Sequence, residues 1–436
     1  MPTLENIKIV TSGNDTRPAK IAVENGKIVA FDDACPKNNE IVDCKNLLLL
    51  PGVIDPHTHF DDPGYTWRED FYHGSLGAIA GGVTTVFDMP CTTVPPVTNV
   101  SAFYNKKDTI IPNAWCDFRL WGGVSAESLD SPLWKNHIEQ LKNAGVIGFK
   151  TYVLSGMDTF PQLSYDEYYD VLKFAAEIDI LVSVHAEDPE VVNNAAKKIS
   201  GDSPADFAAS RPVEAEVTAI RRVGEIAGEV GAKIHIVHVS SGSGAEEIDR
   251  LQKLGVNISG ETCPQYLAFT IDDLCRLGSV LKCAPPVRSE EEKEKLWSYI
   301  GKSISFLATD HAPCSQKEKN TGNFMSDYCG MPGVELLLPF ALNYGYHQEK
   351  LTLEQIQKLT SENAAKRFNL FPQKSALETG ADADFALVNL DTMYKIDAEK
   401  LKSKGKFTPF NGITFCGSVE QTWIQGEPVF KRQEKK

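Results

Sequence analysis

Hydrophobic and polar positions follow two rhythms along this chain, and the change of rhythm divides it in three. Over residues 1–46 the apolar positions fall in short β-branched runs, IKIV, KIAVENGKIVAF and IVDC. Glu24-Asn25-Gly26 supplies a hairpin turn between two of them. From residue 47 a strand–loop–helix order sets in and repeats. The run Leu47 to Leu50 with Val53-Ile54 has no polar face and reads as a fully buried strand. Further strands are expected at 83–89, 116–122, 146–153, 180–186, 233–239, 257–262 and 304–309. Helical patterns between them include 164–178, 212–229 and 244–254, the last opening on a capping-box pair, Ser243 and Glu246. After residue 370 the runs DADFALVNL, GITFCGSV and TWIQGEPVF are strand-like again.

Eight strands alternating with helices predict an α/β fold, a (β/α)8 barrel with parallel strands. A doubly wound sheet is the rival. It gains nothing from the Gly-rich stretch SSGSGAEE, which lacks G-x-G-x-x-G spacing. The simplest place for the strands at the two ends is one small composite β-sandwich. The expected domains are therefore 1–50 (β-sandwich, first part), 51–370 (barrel) and 371–436 (β-sandwich, second part).

Composition narrows the surroundings. The formal net charge is −15, and against it the short basic tail KRQEKK counts for little, so nucleic acid is not an expected partner. No apolar run reaches the ~18 residues of a membrane span. The start, MPTLENIKIV, lacks the basic and apolar regions of a secretory signal. Ten cysteines are scattered with no C-x-x-C pair, which predicts reduced thiols and a cytoplasmic location.

The chemistry gathers at expected strand ends. Residues two apart in a strand point the same way, so His57 and His59 of DPHTH project together. Lys150 falls in GFKTY, His185 in VSVHAED, His238 in HIVHVSS and Asp310 in ATDHAPC. All of these lie where barrel chemistry sits, at the C-terminal ends of strands. One histidine alone is more often structural; four with a lysine and an aspartate at one barrel face point to a metal site. Imidazole plus carboxylate suits zinc, and also iron, cobalt or manganese. His235 falls on the opposite face of its strand from His238 and near the strand's start, and is read as outside the site. His73, His137 and His347 read as surface residues. Lys150, a cation at its ordinary pKa of about 10.4, would repel a metal. It becomes a ligand once its amine has reacted with CO2, since the carbamate is anionic and its two oxygens can bridge two metals.

Those residues carry a family likeness. The chain resembles the cyclic amidohydrolases of the amidohydrolase superfamily, namely allantoinases, hydantoinases/dihydropyrimidinases and dihydroorotases. The likeness runs nearly end to end, through PGVIDPHTH, GGVTTVFDMP, GFKTY, VHAE, ASRPVEAE, HIVHVSS, ETCPQY, KCAPPVR, ATDHAPC, TSENAAKRFNL and GADADFALV. By that resemblance His57, His59, N6-carboxylated Lys150 and Asp310 would hold one divalent ion, and Lys150, His185 and His238 the second. Asp310 would be the catalytic proton carrier. The substrate would be a small neutral cyclic amide or ureide, and the assembly a homodimer or homotetramer.

The substrate is read from departures. Dihydroorotases resemble one another in reading the substrate carboxylate with an Arg, an Asn and a His at positions that here hold Asp61, Cys91 and Cys314. A carboxylate facing Asp61 would be repelled. Hydantoinases usually carry a Tyr where Ser155 stands, although HTHFD resembles their HTHLD. Allantoinases share the most: ASRP-x-x-x-E, C-P-x-Y, K-C-x-P-P-x-R, D-H-x-P-C and Gly322-Asn323. The expected reaction is therefore opening of allantoin to allantoate, with hydantoinase/dihydropyrimidinase and dihydroorotase activities as alternatives. Asp61, Cys91, Ser155, Cys283 and Cys314 are the expected substrate contacts. A catalytically silent scaffold is the alternative from another class; such relatives tend to lose ligands, and none of the six is missing here.

Overall fold

The structure is a computed structural model that describes residues 2–37 and 40–433. Its first strand-forming region and its last meet in one seven-stranded sheet. From edge to edge the order is Glu427–Lys431, Thr414–Ile424, Phe385–Lys395, Glu40–Pro51, Pro2–Ser12, Asp15–Glu24 and Lys27–Phe31. Asn25 and Gly26, at φ 50° and 76°, make the tight turn between the last two of these strands.

The apolar run 47–50 belongs to this sheet and not to the barrel, which corrects the expected strand 47–54. Glu40–Pro51 pairs in parallel with Pro2–Ser12 and antiparallel with Phe385–Lys395. It lacks a polar face because it is a seam between two cores. Leu48 and Leu50 pack into the large barrel-side core, and Leu49 points the other way into the sheet's own core. Phe385 to Val388 alternates across the same seam. The barrel's first strand is the short Val53–Thr58, fully buried.

The remaining barrel strands are Val83–Asp88, Asp117–Leu120 continuing as Gly122–Gly123, Phe149–Tyr152, Leu181–His185, Lys233–Ile236, Ile258–Thr262 and Ile304–Leu307. Every neighbouring pair is parallel. The third strand breaks at Trp121, whose indole N–H donates to Pro56 O at 3.0 Å. The ring closes where His59 N–H donates to His311 O at 2.8 Å. Helices such as Tyr165–Glu177 and Val213–Val230 cover the outside.

The expected capping box at Ser243 is corrected. The helix is Gly242–Lys253, and Ser241 is its N-cap, accepting from Gly244 N–H. Ser243 and Glu246 turn outward, to Glu292 and Lys295 of helix Glu290–Trp297.

Candidate metal centre

Strand alternation puts His57 and His59 on one side of the first barrel strand, with ring centroids 5.3 Å apart. The Nε2 atoms of both lie 3.2 Å from the same Asp310 oxygen. Across the mouth, His185 Nδ1 and His238 Nε2 are 2.9 Å apart. The His57 and His238 rings stack at 5.5 Å, joining the two halves. Lys150 lies among them, its Nζ 4.8 Å from the centre of the Tyr152 ring, which in turn stacks on His185 at 5.1 Å. His238 and Asp310 both take left-handed backbone conformations, φ 40° and 49°. For non-glycine residues that is the kind of strain found at functional sites.

Three of the four histidines have their second nitrogen pinned. His57 Nδ1 meets Glu261 Oε1 at 2.6 Å, and His59 Nδ1 meets the Thr92 hydroxyl at 3.2 Å. His185 Nε2 meets Glu187 Oε2 at 2.9 Å, and Arg211 grips Glu187 through two N–H donors. A partner on one ring nitrogen fixes the tautomer and leaves the other lone pair for a ligand role. Only His238 Nδ1 has no hydrogen-bond partner.

Two further residues hold the first and last strand ends. Asp88 Oδ1 accepts from Phe60 N–H at 2.8 Å, and its other oxygen pairs with the buried Lys106. His311 Nδ1 accepts from Gly333 and Val334 N–H at 3.0 and 3.2 Å, while its Nε2 meets Glu69 at 3.2 Å. Those contacts set the backbone on which Asp310 sits.

The electrostatics suit cation ligands. Burial, with Lys150 nearby, pushes the pKa values of His57 and His238 well down, and that of His185 down as well. His59 goes the other way: burial would lower it, but Cys91 and Asp310 outweigh burial and lift it to about 10. Burial drives Lys150 down to about 8 and Glu261 up to about 8. A buried ammonium with no hydrogen-bond partner, Lys150 Nζ, sits beside imidazole lone pairs that converge. The His57, His59 and Asp310 group fits a divalent cation and fits no satisfied polar core.

The six expected ligands are thus brought together. The expected substrate contacts divide. Asp61 is sealed at the rim with neither oxygen hydrogen-bonded, and burial pushes it up to about 7. Cys91 Sγ lies 3.1 Å from the Tyr152 hydroxyl and 3.9 Å from His59 Nδ1. Cys283 is buried beside Tyr266, and burial lifts its thiol to about 12. Cys314 is buried near Lys319. The Ser155 hydroxyl is spent within its own loop, donating to Phe160 O at 2.7 Å and accepting from Met157 N–H.

Sequence reasoning missed Glu261, Glu187 with Arg211, Thr92 and Tyr152. His235 is buried below the centre and bonds Glu261 Oε2 at 3.1 Å, so one carboxylate serves both His57 and His235. A signal existed: Glu261 is an acid inside the otherwise uncharged strand ISGET.

A parallel barrel with histidines, a lysine and an aspartate gathered at the C-terminal mouth defines the class of metal-site hydrolase barrels. The chain belongs to the amidohydrolase family, whose model matches residues 48–429. It is 37% identical over 421 residues to an allantoinase of Solibacter usitatus, spanning 95% of this chain and 91% of that one. It is 36% identical to an allantoinase of Rubrobacter xylanophilus, with the same coverage. Among solved structures, an L-hydantoinase (dihydropyrimidinase) from Arthrobacter aurescens superposes with a TM-score of 0.94 at 32% identity, covering 99% of this chain and 96% of that one.

Proposed function

We propose that this protein hydrolyses the ring amide of allantoin to give allantoate. Lys150 carries the reading: a buried ammonium with no partner, set among His57, His59, His185, His238 and Asp310. A neutral amine held there can take up CO2. The resulting carbamate, with His57, His59 and Asp310, would hold one divalent ion, and with His185 and His238 a second. Zinc suits these ligands best. Such ions supply a water acidified towards neutral pH and polarise the scissile carbonyl.

The chain's own residues do the rest. Asp310, within 3.2 Å of both His57 and His59, accepts the proton of the attacking water at its carboxylate. It returns that proton to the ring nitrogen as the C–N bond breaks and the new C–O bond completes the product carboxylate. Glu261, Thr92 and Glu187 hold three imidazoles in the tautomer this needs. Asp61 gives the rim a carboxylate that disfavours anionic rings, which supports a neutral ureide over dihydroorotate. Ten free cysteines support a cytoplasmic setting.

Hydantoinase activity is the second reading, favoured by the fit to L-hydantoinase. The test is metal-replete, bicarbonate-supplemented enzyme presented with allantoin, hydantoin, dihydrouracil and dihydroorotate. Allantoin is expected to give the highest kcat/KM. Turnover of dihydroorotate alone overturns the substrate; turnover of none overturns the enzyme.

A further inference from the structure

The start of the basic tail that stands out in the sequence, Lys431 and Arg432, does not hang alone. Strand Glu427–Lys431 runs back beside Thr414–Ile424, and this brings Lys431 and Arg432 against the lysine-rich stretch 395–402. Between them and the barrel's outer wall lies a cavity of about 810 Å³. That is the size of a metabolite site.

Its charge runs against the rest of the molecule. Lys395, Lys400, Lys402, Lys431 and Arg432 line it against two acids, Glu335 and Asp397, on a chain whose net charge is −15. Both acids are engaged. Asp397 pairs with Lys400 at 2.9 Å, and Glu335 Oε2 accepts the Lys402 backbone N–H at 2.7 Å. Arg432 lies over the Tyr394 ring, 4.8 Å from its centre, with its Nε on Val419 O. Among the described residues, the ammonium groups of Lys395, Lys402 and Lys431 have no ion pair. Cations converging on one concavity raise the local concentration of anions.

The cavity wall continues into the supports of the active site. Glu335 is two residues from Gly333, whose N–H holds His311 Nδ1. Lys402 adjoins Ser403, whose hydroxyl donates to Glu69 at 2.5 Å, and Glu69 holds His311 Nε2. Both walls therefore end on His311, the residue after Asp310.

We propose that this cavity is a binding site for a small multivalent anion, a phosphorylated or carboxylated metabolite, and that its occupancy is felt at Asp310 through His311. The binding half is independent of which ring the enzyme opens.

The test is calorimetric titration of the metal-replete protein with inorganic phosphate and with succinate at constant ionic strength. Wild type is compared with a Lys395→Ala/Lys431→Ala double variant, and turnover is assayed in parallel. Saturable binding is expected in wild type, weakened tenfold or more in the variant. A change in kcat at saturating anion is expected in wild type and is lost in the variant, with basal turnover equal. Absence of saturable binding in wild type overturns the site. So does equal affinity in the variant, which assigns the anion to the metal centre instead. Binding without any change in kcat overturns the link to His311.

Discussion

Among the described residues five lysines are buried, and four of them explain themselves. Lys374 sits among three carboxylates, Asp117, Asp382 and Asp384. Lys106 pairs with Asp88 and also meets Met89 O. Lys282 donates to the carbonyls of Phe324, Met325 and Asp327, and Lys319 to those of Lys282, Tyr328 and Gly330. Lys150 alone among the described lysines is buried with no acceptor. The environments push in opposite directions. Burial acts on Lys374 as well, but its carboxylates outweigh it and raise the pKa; at Lys150 burial wins and the pKa falls to about 8. A lysine kept charged by its partners is a clasp. A lysine stripped of hydrogen-bond acceptors offers a free amine, the group proposed above to take up CO2.

The sharpest way to break this comparison is to remove Lys150. Lys150→Ala is expected to lose about 10³-fold or more in turnover, together with bound metal, because the carbamate proposed to help hold the metal could no longer form. Short carboxylates such as propionate, filling the space with an equivalent anion, should restore part of both. Metal analysis and an assay with and without propionate check this; full activity in the unsupplemented variant would remove the carbamate from the account.

Next in size is Asp310→Asn. It preserves shape and one oxygen donor while removing the carboxylate proposed to carry the proton, so metal content should hold while kcat falls by about 10²–10⁴-fold. If metal and rate fall together, Asp310 is a ligand before it is an acid–base group. Glu187→Gln comes third. The amide keeps a hydrogen bond to His185 Nε2 but loses the charge that Arg211 holds. Metal affinity should weaken by about 10–100-fold, read in a competition with a chelator.

Much of this candidate centre was legible in the sequence, because polar side chains at barrel strand ends announce themselves by position. His57, His59, Lys150, His185, His238 and Asp310 each end a run of β-forming residues. What supports them was not legible. Glu261 and Thr92 reach His57 and His59 from 204 and 33 residues away, and such pairings exist only once the barrel has closed. The seam strand misled for a related reason. A run apolar on both faces reports burial on both sides, and 47–50 obtains that burial between two cores, not inside a barrel. The Ser243 cap failed on a smaller scale. Ser241, Ser243 and Gly242 are all competent near a helix start, and the contact of Ser243 with Glu292, 49 residues on, decided between them.

The other side of the comparison predicts a loss without a catalytic change. Lys374 ties Asp117, at the start of a barrel strand, to Asp382 and Asp384 beside the composite sheet. Lys374→Met leaves three acids close together with no cation. Breaking a buried pair in this way costs about 3–5 kcal/mol, seen as a lower denaturation midpoint. The turnover of molecules that remain folded should match wild type. The pH dependence follows from the sign of the shift. A lysine whose folded pKa is raised contributes stability that is fully present below its unfolded value, about 10.4, and lost as pH rises through the folded value. The stability gap between wild type and Lys374→Met should therefore stay level from pH 7 to pH 10 and shrink only above that. A gap that already closes between pH 7 and pH 9 would mean that Lys374, like Lys150, has a depressed pKa, and the contrast between the two would fail.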